Sequence, residues 1–152
     1  MVTKLTLAAA ICLALPVMAH AEEQQDPNIK ARIALMDLYA YNIGVLGGMA
    51  QGRMPYDAEL AASAATSLYH LARSGSARMW PEGTDNFSVE GTRALPAIWD
   101  NMADFAARAA ALRDATETMM NAAGTDLASL QAAIGPLGAA CGGCHEAYRQ
   151  PQ

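Results

Sequence analysis

The sequence predicts an all-α protein, an antiparallel up-down-up-down four-helix bundle, on three observations. Apolar residues recur three and four apart through four separate segments, the period of a helix face and not of a strand. Acidic caps and Gly or Pro breaks mark where the segments start and stop. Two of the three connections are short, which returns each helix antiparallel to the last, and one is long.

A leader precedes the bundle. Lys4 supplies a positive start, Leu5 to Leu15 is an apolar run holding Cys12, and Ala19-His20-Ala21 fits a small-x-small cleavage site. Residues 1–21 are therefore expected to be a cleaved signal peptide and residues 22–152 the bundle domain. The apolar run is short and Glu22-Glu23-Gln24-Gln25 follows it at once, so no stable membrane insertion is expected.

The first helix opens at Asp26-Pro27, an acidic cap with proline at the first helical position. Its stripe is read as Ile29, Ile33, Met36, Ala40, Ile43 and Gly47, and Gly52 and Pro55 close it. Asp57 caps a second, alanine-rich helix with Leu60, Ala64, Leu68 and Leu71 on one side, ending near Ser74-Gly75. The stretch from Ser74 to Pro96 is long for a loop in a compact domain and is expected to pack along the bundle or hold a short helical turn. The third helix carries Ile98, Met102, Phe105, Ala109, Leu112, Thr116 and Met119, and Gly124 breaks it. Thr125 or Asp126 caps the fourth, where Leu127, Leu130, Ile134, Leu137, Cys141, Cys144 and Tyr148 keep the rhythm. Gly135-Pro136 is expected to bend that helix without ending it.

Chemistry concentrates near the C-terminus, in Cys141-Gly-Gly-Cys144-His145. Cys-x-x-Cys-His is the attachment signature of c-type haem: two thiols bond the porphyrin edge and the adjacent imidazole ligates iron. On a helix the three residues are expected to leave from one face. Two rivals exist. A dithiol redox pair needs a helix N-terminus to stabilise its thiolate, whereas this pair lies near a C-terminus with no βαβ pattern around it. Zinc would take Cys141, Cys144 and His145 but lacks a paired fourth donor, His70 being the one obvious nitrogen left after the leader is removed. Haem c, one and covalent, is the reading that fits, and it suits an exported chain in a bacterial periplasm.

The formal charge is −5 and becomes more negative once Lys4 is removed, so nucleic acid is not an expected partner.

In these residues the chain resembles the class II cytochromes c, a family that includes cytochrome c′ and its low-spin relatives. Three stretches carry the likeness: Cys141 through Tyr148-Arg149; Arg32-Ile-Ala-Leu-Met36 with Gly52-Arg-Met-Pro55-Tyr56-Asp57; and Pro81-Glu-Gly-Thr with Ala97-Ile98-Trp99. The resemblance implies haem c between the helices of a four-helix bundle, often a homodimer, with His145 as the proximal ligand and Arg32 near a propionate. One branch of the family leaves the sixth iron position open and binds nitric oxide or carbon monoxide. The other fills it with a methionine from the first helix and passes electrons to redox partner proteins.

For that sixth position Met36 is the leading candidate. It rises about 15 Å from the start of the first helix, at the bundle end that holds the close of the last one. Met102 reaches the same end and His70 is expected to face solvent. Trp99 and Phe105 are expected to wall the pocket and Tyr148 to pack there. Arg149 is expected at the haem edge or on terminal carbonyls. One-electron transfer without substrate chemistry is the first expectation, gas binding at an open iron the second, and no acid–base pair marks an enzyme.

Overall fold

The computed structural model describes residues 26–151, so the leader and its cleavage after Ala21 lie outside the described residues. Five α-helices occur among them: α1 (Pro27–Ala50), α2 (Ala58–Ala72), α3 (Ala97–Asp100), α4 (Met102–Ala122) and α5 (Leu127–Tyr148). A 3-10 turn, Ser76–Met79, sits in the long connection. The four long helices form the bundle.

Side-chain caps set where these helices begin. Asp26, Asp57 and Asp126 each accept from a backbone N–H in the first turn of α1, α2 and α5. Asn101 does the same for α4 through Asp104 N–H. That cap divides the helix expected from Ile98 onward, because Asn101 leaves helical geometry (φ −139°, ψ 58°) and sets α3 apart as a separate turn. Pro136 lies within α5 without ending it.

The direction of each helix follows from the contacts between ends. Tyr56 OH, just before α2, donates to Ala123 O after α4. Gln131, near the start of α5, donates to Ala50 O at the end of α1. Gly124 brings the end of α4 against the start of α2 so closely that a Cβ there would stand 2.9 Å from Ala62 Cβ. One end of the bundle therefore holds the close of α1 and α4 and the start of α2 and α5. The opposite end gathers the start of α1 and α4 with the close of α5, an up-down-up-down arrangement.

Between the helices, Leu35, Tyr39, Leu46 and Met49 of α1 meet Ala61, Ala65 and Leu68 of α2, Met119 of α4, and Leu130 and Leu137 of α5. Thr116 is wholly buried and satisfied: its hydroxyl donates to Arg113 O and accepts from Arg73.

The α1 face differs from the expected stripe. Ile29 and Gly47 are buried as expected and Ile43 packs against the core, but Arg32, Leu35, Tyr39, Asn42 and Leu46 also turn inward, while Ile33, Met36 and Ala40 face outward. The helix is apolar nearly all round, so period alone could not choose between two adjacent faces. The choice is made by neighbours: Arg32 finds acceptors in the long connection, and Asn42 donates back to Leu38 O. Leu60 of α2 likewise faces outward, with Ala61 taking the inward position.

Instead of wandering over the surface, the long connection closes the site end. Ala94 pairs with Arg149 in an antiparallel bridge, Leu95 N–H donates to Tyr148 O, and Gln150 N–H donates to Arg93 O. Arg32, only 3% exposed, fastens it from beneath.

Candidate haem site

The attachment pentapeptide occupies the last turns of α5, where the connection, the start of α1 and the start of α4 converge. Cys141 and Cys144 are half-buried free thiols. Burial pushes both thiols up, and for Cys144 the nearby Arg108 works against that push. A dithiol redox pair depends on a shift the other way.

Each of the three residues meets a different neighbour. Cys141 lies near α1, close enough to the Tyr39 phenol that, with burial as the larger cause, the tyrosine is pushed up to about 12. Cys144 packs into a second apolar cluster, with Ala94, Ile98 and Tyr148 at its centre and Trp80, Trp99 and Phe105 around it. His145 opens into a cleft of about 370 Å³ lined by Arg93, Gly142, Glu146, Arg149 and Pro151. Burial, then Arg149 and Arg93, hold its imidazole below the usual range, which favours the neutral form an iron ligand needs. No group of three His, Cys, Asp or Glu side chains converges on one point among the described residues. Across that part of the helix the thiols meet the bundle side and the imidazole the cleft side. Thiols bonding a ring at its rim and an imidazole beneath its metal suit such a spread; a tetrahedral zinc site does not. The residues fit haem c.

The aromatic wall is built edge to face. Phe105 stands 4.8 Å from Trp80 and 5.4 Å from Tyr148, centroid to centroid. Trp99 Nε1 donates to Trp80 O at 3.2 Å. Trp99, Phe105 and Tyr148 thus come together as expected, and Trp80 joins them. Its place in a 23-residue connection hid it; the apolar Met79-Trp80 before Pro81 was the available signal.

Arg32 is buried, and its side chain is bonded to the long connection. Its guanidinium lies 4.8 Å over the Trp80 ring and donates to Thr84 Oγ1 at 2.9 Å, to Thr92 Oγ1 at 2.7 Å and to Thr84 O. Arg149 is exposed and lines the cleft beside His145, and its own N–H continues the helix by donating to His145 O. His70 faces solvent at the end of α2, its ring edge-on to Tyr69.

Met36 and Met102 stand outside both apolar clusters, 38% and 42% exposed. Met36 lies one turn before Tyr39, and so on the stretch of α1 that runs beside the attachment turns. A further network joins α4 to α5 without a contiguous sequence signal. Asp104 Oδ2 accepts from Tyr148 OH and from Arg108 Nε, both at 2.6 Å, while Arg108 Nη1 donates to Gly143 O at 2.6 Å. The four-residue spacing of Asp104 and Arg108 was a visible pair, but nothing in sequence tied it to α5.

Comparison with known proteins agrees with this fold. A family model described as Cytochrome C′ matches residues 27–149. The chain is 47% identical to cytochrome c-554 from Cereibacter sphaeroides over 138 residues, covering 91% of this chain and 90% of that protein. It superposes on cytochrome c′ from Rhodobacter Spheriodes with a TM-score of 0.80 and 34% identity, covering 82% of this chain and 96% of the other. The nitric oxide complex of a cytochrome c prime variant from Alcaligenes xylosoxidans gives 0.72 and 31%, covering 82% and 94%.

Proposed function

The chain belongs to the cytochrome c′ family and carries covalent haem c, and from that premise we propose one-electron transfer through an iron held between His145 and Met36. When bound, the haem supplies a one-electron ferric–ferrous couple. The protein's own residues do the rest. Cys141 and Cys144 hold the ring rim, His145 presents a neutral imidazole from the cleft side, and Trp80, Trp99 and Phe105 keep water from the Cys144 side. Arg32 holds the 84–92 part of the connection in place, where it would also meet a propionate.

The observation that carries the sixth ligand is the position of Met36. It is kept out of the core although Leu35 and Tyr39 beside it are buried, and it belongs to the part of α1 next to Cys141. A thioether there would make iron six-coordinate and raise the reduction potential relative to water. The cleft beside His145, with Arg93 and Arg149, gives a periplasmic redox partner access to one side.

A second reading is gas binding, favoured by the structural likeness to a cytochrome c prime seen with nitric oxide. One experiment separates them: optical and electron paramagnetic resonance spectra of the oxidised protein, then carbon monoxide added to the reduced form. The Met36 reading expects a low-spin signal and no uptake, and Met36→Ala opens the site to the gas. A high-spin signal with ready uptake in the unaltered protein overturns it. An unchanged low-spin spectrum in Met36→Ala moves the ligand to Met102.

A further inference from the structure

The Asp104–Arg108 pair is bound directly into the haem-attachment turn. Arg108 reaches across from α4 with two different bonds, Nε to Asp104 Oδ2 and Nη1 to the Gly143 carbonyl, each 2.6 Å. Gly143 lies between the two attachment cysteines and two residues before His145. A Cβ there would stand 3.4 Å from Arg108 Nη1, in van der Waals contact, so the guanidinium lies directly against this glycine. Asp104 is fixed from the α5 side as well, by the Tyr148 hydroxyl at 2.6 Å. Two parts of the end of α5, the Gly143 carbonyl and the Tyr148 side chain, therefore face one ion pair.

We propose that Asp104 and Arg108 are positioning residues that clamp the attachment turn and set the reduction potential through two opposed charges held beside it. The inference rests on the haem c reading and adds to it which residues outside the pentapeptide tune the couple. Reduction adds an electron to the site, so a nearby cation favours the reduced form and a nearby anion the oxidised one. The pair meets that turn by geometry: Arg108 donates to the Gly143 carbonyl and lies 5.7 Å from the Tyr148 ring centroid, whose hydroxyl donates to Asp104. The pair is about a third exposed, with side-chain exposures of 36% and 40%, so salt weakens but does not erase the effect.

A structural clamp and an electrostatic one make different predictions, because the two residues share one contact but carry opposite charges. Potentials are measured at low ionic strength, against a one-electron mediator, for the wild type, Arg108→Gln, Asp104→Asn and the double variant. Arg108→Gln shifts the equilibrium toward the oxidised form by at least about threefold, Asp104→Asn shifts it toward the reduced form by a similar factor, and the double variant returns near the wild type. Arg108→Lys keeps the charge but loses the fork, so its potential stays near that of the wild type while its thermal midpoint falls. Shifts of the same sign in both single variants would mean a loosened turn and overturn the inference, as would potentials that do not move. A wild type isolated without covalent haem, after expression alongside haem-attachment machinery, would instead overturn the haem reading and this inference with it.

Discussion

Arg32→Met isolates what a single buried cation contributes to this fold. Methionine keeps most of the apolar stem against Trp80 but removes the guanidinium and its bonds to Thr84 Oγ1, Thr92 Oγ1 and Thr84 O. Bonds from a charged donor contribute about 1.5 to 3 kcal/mol each in net terms. Not all of that is lost. Thr84 Oγ1 still donates to Pro81 O, and the variant no longer has to desolvate a cation, a cost seen in the downward push that burial exerts on Arg32. The Thr84 carbonyl, however, is left buried without its partner, which costs about 1 to 3 kcal/mol. The balance is a loss of about 3 kcal/mol, a fall in the urea midpoint of about 2 M at a slope of about 1.5 kcal/mol per M. The loss is not spread evenly. It falls on the connection that Arg32 fastens, so amide exchange accelerates first at Asn86, Leu95 and Gln150, whose N–H groups bridge that segment to itself and to the end of α5. Urea titration and hydrogen exchange by NMR check both parts. A loss below about 1 kcal/mol, or unchanged protection at those three amides, would refute the assignment of Arg32 as the fastening of the site end.

Two further outcomes follow from single contacts. Gly124→Ala places a methyl group 2.9 Å from Ala62 Cβ and 3.3 Å from Ala58 O; α2 and α4 must separate, at about 1 to 3 kcal/mol in denaturant titration, and an unchanged midpoint would show the junction to be looser than described. Asp104 is held below the usual carboxylate range by its hydrogen bonds from Arg108 and then Tyr148. A depressed folded pKa means the unfolded chain binds more protons over that interval, so this share of stability is present above the unfolded value near 3.8 and is lost as pH falls through the lower folded value. Asp104→Asn lacks that share throughout, so its urea midpoint falls less than the wild type's between pH 5 and about pH 3; parallel declines would show the carboxylate to be unpaired in solution.

Much of this protein is legible without a structure because its signals are local. Asp26, Asp57 and Asp126 cap helices by bonding N–H groups two or three residues away, and a cap of that range is written into adjacent letters. The attachment pentapeptide is likewise five consecutive residues, and its chemistry depends on side chains whose spacing a helix dictates. Trp99, Phe105 and Tyr148 were placed together because all three lie at the same end of an antiparallel bundle once helix order is known.

What sequence left open depended on partners far away along the chain. The middle of the α1 face is not legible from period, because Ile33 and Met36 are as apolar as Leu35, and only acceptors 52 and 60 residues downstream, Thr84 and Thr92, explain why Arg32 turns inward. Trp80 joined the aromatic wall, and Asp104 with Arg108 joined the attachment turn, through contacts that skip whole helices. By itself the sequence determined the four long helices, their order, the covalent cofactor and the end of the bundle that carries its attachment motif, since each follows from short-range periodicity or a contiguous motif. Tertiary structure alone decided which side of α1 lies against the core, what buries the Arg32 charge, and which ion pair stands beside Gly143, because burial and charge pairing are properties of segments brought together by packing.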